Sequence, residues 1–215
     1  MKNTVEIIEK EKIIVIVRGV ERSKLIPLGE ALYNGGVRVM ECTFDASGKT
    51  PDTQIADNIK MLVEHFGDKM AIGAGTVLTK KQVKLTKKAG GKFIISPDAN
   101  EQIIKATKKC GLVSIPGVFT ATEAVKAYNL GADFVKLFPS GMLGAKYLKE
   151  LKAPLSHIKF LAVGGVDTDN MHEYNAYASG YGIASGILNK KFIEEGNFEK
   201  IEELAKKYTD CLASL

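Results

Sequence analysis

A lysine stands inside the apolar segment FVKLFPS (134–140), whose other residues are typical of a strand buried on both faces. An ammonium group removed from water must find a partner or lose its proton, and a neutral lysine is a nucleophile. A glutamate, Glu41, stands in a second apolar segment, VRVMECT (37–43). If both segments are strands of one barrel, Lys136 and Glu41 can meet across it and share covalent and acid–base chemistry. The alternative is a structural ion pair in a polar layer of the barrel.

Eight short β-branched segments recur along the chain, separated by amphipathic helical patterns. They are IIVIV (13–17), VRVMECT (37–43), MAIGAG (70–75), KFIIS (92–96), LVSI (112–115), FVKLF (134–138), KFLAVGG (159–165) and GYGIAS (180–185). Their starts fall about every 20 to 30 residues, which predicts an α/β fold, a (β/α)₈ TIM barrel. A doubly wound open sheet is the alternative, but VRGVERSK (17–24) lacks the G-x-G-x-x-G turn expected after its first strand.

We expect residues 1–215 to form a single barrel domain, because no linker-like or low-complexity stretch interrupts the pattern. A helix before the first strand (3–11) and a helical tail after the last (189–213) would cover the barrel's bottom and flank. Glycines at the ends of four amphipathic segments, at 35–36, 90–91, 111 and 131, predict C-terminal helix caps.

Composition narrows the class of protein. The chain has 215 residues, 45% of them hydrophobic, and a net charge of +5 from lysines scattered over helix-like segments. Without aromatic or arginine clusters, this charge predicts a solvated surface and no nucleic-acid partner. No apolar segment approaches the about 18 residues that span a bilayer, and the N-terminus resembles no signal peptide, so we expect no membrane partner. The three widely spaced cysteines favour a reducing, cytoplasmic compartment.

Active sites of such barrels lie at the C-terminal ends of the strands. The polar or small residues there are Arg18, Glu41, Thr43, Thr76, Ser96, Lys136, Gly164, Gly165 and Ser185. None of the three histidines is at a strand end, and no two ligands have metal-site spacing, so we expect neither a metal nor another cofactor.

Two of these strand ends have a predicted binding role. GAGTVLT (73–79) combines small residues with Thr76, whose hydroxyl can donate to a carboxylate, and Thr79 is the expected cap of the next helix. VGGVDTDN (163–170) places two glycines between a strand and a helix that Asp167 or Thr168 would cap. Backbone N–H groups in such a position bind phosphate, and Ser185 and Gly186 after the eighth strand would complete the site.

Taken together, these segments resemble the KDPG/KHG aldolases, class I enzymes that cleave 2-keto-3-deoxy-6-phosphogluconate (KDPG) and related 4-hydroxy-2-oxo acids to pyruvate and an aldehyde. The resemblance extends from about Lys12 to Leu188. The segments that carry it are IIVIVRG, GGVRVMECTF, IGAGTVLT, FIISPDAN, SIPGVFTATEA, GADFVKLFPS and FLAVGGV.

The resemblance implies a role for each site residue. Lys136 is the Schiff-base lysine and Glu41 the general acid/base. Thr76 binds the pyruvoyl carboxylate, and a phosphorylated keto acid and pyruvate are the small-molecule partners. The remaining pocket residues are Pro97 and Phe138 as walls and Gly164, Gly165 and Ser185 as the phosphate site. No cofactor is implied, and a homotrimer is the family's usual assembly.

Two departures from the family pattern concern the substrate. Many members carry an arginine shortly after the glutamate, where this chain has Asp45, so the carboxylate would depend more on Arg18. Known KDPG enzymes read T-G-G-I where this chain has VGGV, and Val163 resembles the galactonate (KDPGal) branch. The alternatives for the substrate are therefore KDPGal and 4-hydroxy-2-oxoglutarate.

Two other functions remain open. A phosphate-binding barrel of the epimerase or decarboxylase type would need paired aspartates or a metal at the strand ends. A non-catalytic phosphosugar-binding barrel would keep the glycine site without chemistry, although a buried lysine without a role costs stability.

Overall fold

Strands and helices alternate along residues 4–215, the part of the chain that the computed structural model describes. The strands are β1 (Ile13–Val17), β2 (Val39–Thr43), β3 (Ala71–Gly75), β4 (Phe93–Ile95), β5 (Val113–Ile115), β6 (Gly117–Val118), β7 (Val135–Leu137), β8 (Phe160–Val163) and β9 (Gly180–Ile183). The helices are α1 (Thr4–Glu11), α2 (Leu25–Asn34), α3 (Asp52–Phe66), α4 (Lys80–Lys88), α5 (Glu101–Lys109), α6 (Ala121–Asn129), α7 (Ser140–Lys152), α8 (Met171–Tyr174), α9 (Lys190–Glu195) and α10 (Phe198–Ala213). Residue 3, predicted to begin the first helix, lies outside the described residues.

The strands form one parallel sheet in the order β5-β4-β3-β2-β1-β9-β8-β7-β6. Its two edges, β5 and β6, are separated in the chain by Pro116 alone, so they are two parts of one strand position. Proline has no N–H to donate, but its carbonyl accepts from the Lys136 N–H at 2.8 Å. The sheet therefore closes, and the predicted TIM barrel is confirmed, with the fifth strand divided in two.

Most of the barrel interior is apolar. Ile8 of α1 is fully buried in one cluster with buried strand residues. Those residues are Ile14, Val39, Ala71, Phe93, Ile95, Val113, Ile115, Phe134, Leu161 and Val163. A second apolar cluster fills the space between the strands and the outer helices. The C-terminal ends of the strands are left for polar groups.

Most predicted helix ends match the structure. Gly36, Gly90, Gly111 and Gly131 have positive φ angles, as helix-ending glycines do. Thr79 caps α4 with a capping box, its hydroxyl accepting from the Gln82 N–H at 3.2 Å.

The predicted cap of the helix after β8 is wrong. α8 begins only at Met171, after Asn170, so neither Asp167 nor Thr168 is its N-cap. Asp167 instead accepts hydrogen bonds from the N–H groups of Asp169 and Asn170, at 2.9 and 3.2 Å, and organises the preceding loop. Asx turns of this kind compete with helix capping for the same acceptor.

Cys42, Cys110 and Cys211 are free thiols. None of the helices in residues 4–215 has the length and apolar content needed to cross a bilayer.

Candidate active site

A cleft of about 580 Å³ opens at the C-terminal ends of the strands. Glu41, Thr43 and Ser96 do not line it, whereas the other predicted site residues do. These are Arg18, Thr76, Pro97, Lys136, Phe138, Val163, Gly164, Gly165, Ser185 and Gly186. The structure therefore brings together residues from strand ends that are far apart in the sequence, as the barrel rule predicts.

Lys136 lies in the middle of β7 and is half-buried. Its Nζ is 4.8 Å from the centroid of the Phe138 ring, which forms part of the cleft wall. Burial lowers the pKa of Lys136, and the Arg18 charge lowers it further, while the carboxylate of Glu41 opposes both. Loss of solvation disfavours the ammonium form, so a larger fraction of Lys136 is the neutral amine than on a surface lysine at the same pH.

Glu41 lies on β2 beneath the cleft and is only 2% exposed. Its Oε1 accepts a long hydrogen bond from the Thr43 hydroxyl, at 3.4 Å, and its Oε2 has no partner in the described chain. Burial raises the pKa of Glu41 to about 7, against the lowering effects of Lys136, Arg18 and the Thr43 bond. A carboxyl group with a pKa near neutrality can both accept and return a proton.

Glycine at position 75 makes room for this carboxylate. A Cβ on Gly75 of β3 would overlap the Glu41 carboxyl group, so no larger residue fits beside it. Because Gly75 has no side chain, the neighbouring strand leaves the space that the Glu41 carboxylate occupies.

Lys136 and Glu41 influence each other without forming an ion pair. β2 and β7 are four positions apart in the sheet order, which places the two residues on opposite sides of the barrel. Among residues 4–215, neither takes part in an ion pair within 4.0 Å, although each shifts the pKa of the other. The structural ion pair considered as an alternative is therefore not formed between these two residues.

Arg18 and Thr76 form a polar corner beside Lys136. Arg18 Nη2 donates to Thr76 Oγ1 at 3.1 Å. Thr76 has a φ of +53°, which is uncommon for a β-branched residue and is often found at functional sites. A cation and a hydroxyl held together in this way can bind a carboxylate.

Two glycines form the opposite end of the cleft. Gly164 and Gly165 have φ angles of +83° and +75°, and a Cβ on either would lie within 3.0 Å of the Phe138 ring or of Gly141 Cα. The Gly141 N–H donates to the Gly164 carbonyl at 2.7 Å, which fixes the loop against the start of α7.

Four N–H groups at this end are unused. Those of Gly165, Val166, Ser185 and Gly186 donate to no backbone carbonyl in the described chain. Converging free N–H groups make an anion-binding site.

Asp45, which stands where the resemblance led us to expect an arginine, does not line the cleft. Its carboxylate accepts hydrogen bonds from the Ser47 hydroxyl and from the N–H groups of Ser47 and Thr50, at 2.6 to 2.9 Å. The Ser47 hydroxyl bond, followed by the backbone bonds, lowers the pKa of Asp45 to about 2. Asp45 is therefore a turn residue, and Arg18 is the cation that lines the cleft.

Six lining residues were not predicted for the site: Ile16, Val166, Asp167, Gly182, Ala184 and Tyr208. Asp167 follows the glycines, Gly182 lies inside β9, and Tyr208 lies on α10. Tyr208 could not be identified from its position, because it is one of several apolar residues on an amphipathic helix well beyond the last strand.

Comparison with known proteins agrees with this geometry. The profile of the family described as KDPG and KHG aldolase matches residues 4–204. The chain is 31% identical to 2-dehydro-3-deoxy-6-phosphogalactonate aldolase of Escherichia coli K12, over 94% of this chain and 97% of that one. It is 30% identical to 2-dehydro-3-deoxy-phosphogluconate aldolase of Treponema pallidum, over 94% of each chain.

A solved structure gives the same result. The KDPG aldolase of Legionella pneumophila superimposes with a TM-score of 0.85 at 29% identity, over 95% of this chain and 97% of that one. In that crystal structure, pyruvate is captured at low pH as a covalent carbinolamine intermediate. The chain belongs to the KDPG and KHG aldolase family and is an aldolase, a carbon–carbon lyase.

Proposed function

We propose that this aldolase works by a class I, Schiff-base mechanism on KDPG or a closely related 4-hydroxy-2-oxo acid, giving pyruvate and an aldehyde. The observation that carries the proposal is Lys136, a lysine with a lowered pKa that lines the cleft and has no ion-pair partner among residues 4–215. The carbinolamine in the Legionella relative supports it, since a carbinolamine forms when an amine adds to a ketone.

The reaction begins with the neutral Lys136 amine, which attacks the C2 ketone of the substrate. Loss of water leaves a protonated imine that withdraws electrons. Glu41, directly or through a water, removes the proton of the C4 hydroxyl, and the C3–C4 bond breaks to give the aldehyde and an enamine. Return of the proton to C3 and hydrolysis of the imine release pyruvate.

The other residues bind the substrate. Arg18 and Thr76 hold the carboxylate next to C2, because they present a cation and a hydroxyl beside Lys136. Pro97 and Phe138 are the walls. At the other end, the phosphate accepts hydrogen bonds from N–H groups of the glycine loop and of Ser185, which donate to no backbone carbonyl of the described residues.

We propose that both C4 epimers, KDPG and KDPGal, are substrates. Val163 is 3% exposed and lines the cleft. A valine offers no hydrogen bond that would select one hydroxyl configuration, and such a pocket discriminates weakly.

A substrate panel tests this function. KDPG, KDPGal and 4-hydroxy-2-oxoglutarate should each release pyruvate, and the two phosphorylated acids should be preferred. A chelator should leave the rate unchanged, because the iminium supplies the polarisation that a metal supplies in the other aldolase class. Turnover that requires an added divalent metal would contradict the Schiff-base mechanism and indicate a metal-dependent aldolase. Binding of phosphosugars without pyruvate release would favour the non-catalytic barrel.

The proposal includes self-association as a homotrimer. Met142 is 86% exposed, and Phe119 and Phe138 are each 46% exposed. An interface between copies of the chain would cover apolar side chains of this kind, if they form one patch. Analytical ultracentrifugation of the parent and of Met142→Lys gives the test, since a monomeric parent would contradict the trimer.

A further inference from the structure

A tyrosine from the C-terminal helix reaches the glycine-rich end of the cleft. Tyr208 of α10 is only 4% exposed, yet it lines the cleft together with Gly165 and Ser185. α10 is held in place by its buried side and by the next residue, Thr209, whose hydroxyl donates to the Gly35 carbonyl at 2.8 Å. The position of the Tyr208 ring is therefore fixed by packing.

The hydroxyl of Tyr208 differs from those of two other buried tyrosines. Tyr174 donates to the Ser140 carbonyl at 3.0 Å, and Tyr181 donates to the Met171 carbonyl at 3.4 Å. No hydrogen bond of residues 4–215 involves the Tyr208 hydroxyl. The Tyr208 hydroxyl lies at the wall of the cleft and has no partner among residues 4–215, so it is available to donate to a ligand group.

Gly186 leaves room for this hydroxyl. A Cβ at Gly186 would overlap the Tyr208 oxygen, so the two residues meet directly. The N–H groups of Ser185 and Gly186 donate to no backbone carbonyl in the described chain. One hydroxyl and two N–H groups thus lie at the same end of the cleft.

Burial and the nearby negative charges keep the Tyr208 hydroxyl protonated. Burial raises the pKa of Tyr208, and the carboxylates of Asp167 and Asp169, with Cys211, raise it further. A protonated hydroxyl can donate to an anion without adding charge.

We propose that Tyr208 is a further substrate-binding residue, whose hydroxyl donates a hydrogen bond to the phosphate group of the substrate. The identity of the substrate rests on the proposed function. The consequence is that the C-terminal helix contributes to the preference for phosphorylated over unphosphorylated 4-hydroxy-2-oxo acids.

Tyr208→Phe tests this role, because it removes the hydroxyl and keeps the ring. KM for KDPG should rise about tenfold, the size expected for a lost hydrogen bond to a charged group, while kcat changes little. The kcat/KM for unphosphorylated 2-keto-3-deoxygluconate should be unchanged. Tyr181→Phe is the matched control: it removes a buried hydroxyl that donates to a protein carbonyl, and the ratio of the two substrates should not move.

Two results would overturn the proposal. One is an unchanged KM for KDPG, and the other is an equal loss with both substrates, which would mean that Tyr208 only supports the fold. Trapping of pyruvate by borohydride should be the same in Tyr208→Phe and in the parent.

The test remains decisive if the proposed function fails. If the parent traps no pyruvate, calorimetric titration with inorganic phosphate decides the role of Tyr208 independently. Weaker phosphate binding by Tyr208→Phe than by Tyr181→Phe then supports it, and equal binding contradicts it.

Discussion

The two ends of the cleft use different parts of the chain. The reacting end, defined by Lys136, Glu41, Arg18 and Thr76, presents side-chain groups to the substrate. Burial raises the pKa of Glu41 there and lowers that of Lys136. At the glycine-rich end, defined by Gly164, Gly165, Ser185 and Gly186, the groups are mostly backbone N–H donors that carry no titratable charge. We therefore expect substitutions at the reacting end to lower kcat and those at the glycine-rich end to raise KM.

Lys136→Arg should reduce turnover to the background of the assay. A guanidinium stays protonated and cannot form an imine, although it keeps the positive charge. Lys159→Arg is the matched control, because Lys159 pairs with Glu9 at 2.6 Å, and both lie away from the cleft. Measurable KDPG cleavage by Lys136→Arg would remove Lys136 from the mechanism.

Glu41→Gln should lower kcat on the order of 10²-fold or more, the usual contribution of general acid/base catalysis. Imine formation with pyruvate should persist in part, because Lys136 is intact. Steady-state kinetics and borohydride trapping measure the two effects separately. An unchanged kcat would leave Glu41 as a group that only adjusts the pKa of Lys136.

The same variant should also change the dependence of stability on pH. Because the pKa of Glu41 is raised from 4.5 to about 7 by folding, the native state keeps a proton that the unfolded chain loses between these pH values. Its contribution to stability is complete below pH 4.5 and falls by about 3 kcal/mol as the pH rises to 7. Glu41→Gln should therefore be stabilised relative to the parent at pH 8 but not at pH 4.5. Equal differences in Tm at the two pH values would contradict the raised pKa.

Gly165→Ala should raise KM for KDPG roughly tenfold, as expected when hydrogen bonds to a charged group are disturbed, with a smaller effect on kcat. The new Cβ would lie 2.9 Å from Gly141 Cα, on a backbone with a φ of +75°. Gly196→Ala is the control for backbone strain alone, since Gly196 has a φ of +71° with no atom within 4 Å of its Cβ position. If both variants keep the KM of the parent, the glycine loop does not bind the phosphate.

Val163→Thr should have the smallest effect. The added hydroxyl can hydrogen-bond a substrate hydroxyl, so the ratio of kcat/KM for KDPG over KDPGal should rise on the order of tenfold, with total activity largely kept. The ratio is measured in both proteins. A strong preference already present in the parent, or a ratio that does not move, would show that Val163 does not select the epimer.

Sequence patterns predicted the barrel because eight short apolar segments alternate with amphipathic helical patterns along the chain. Polar and small residues at the ends of those segments predicted much of the cleft lining, but Thr43 and Ser96 do not line it. The distance between Lys136 and Glu41 could not be predicted, since it depends on the closure of the barrel and on the room that Gly75 leaves. The prediction that Asp167 could cap a helix was wrong, because the same carboxylate can instead accept hydrogen bonds within a turn. The contribution of Tyr208 to the cleft could not be predicted, since the pattern of an amphipathic helix does not show which of its side chains touches a cleft.

The central claim is that Lys136, and no other lysine, forms the covalent intermediate. The most direct measurement is incubation of the protein with pyruvate and borohydride, followed by mass spectrometry of its peptides. We predict one reduced pyruvate adduct, on the peptide that contains Lys136, and its absence from Lys136→Arg. An adduct on a different lysine, or no adduct in a protein that cleaves KDPG, would contradict the account.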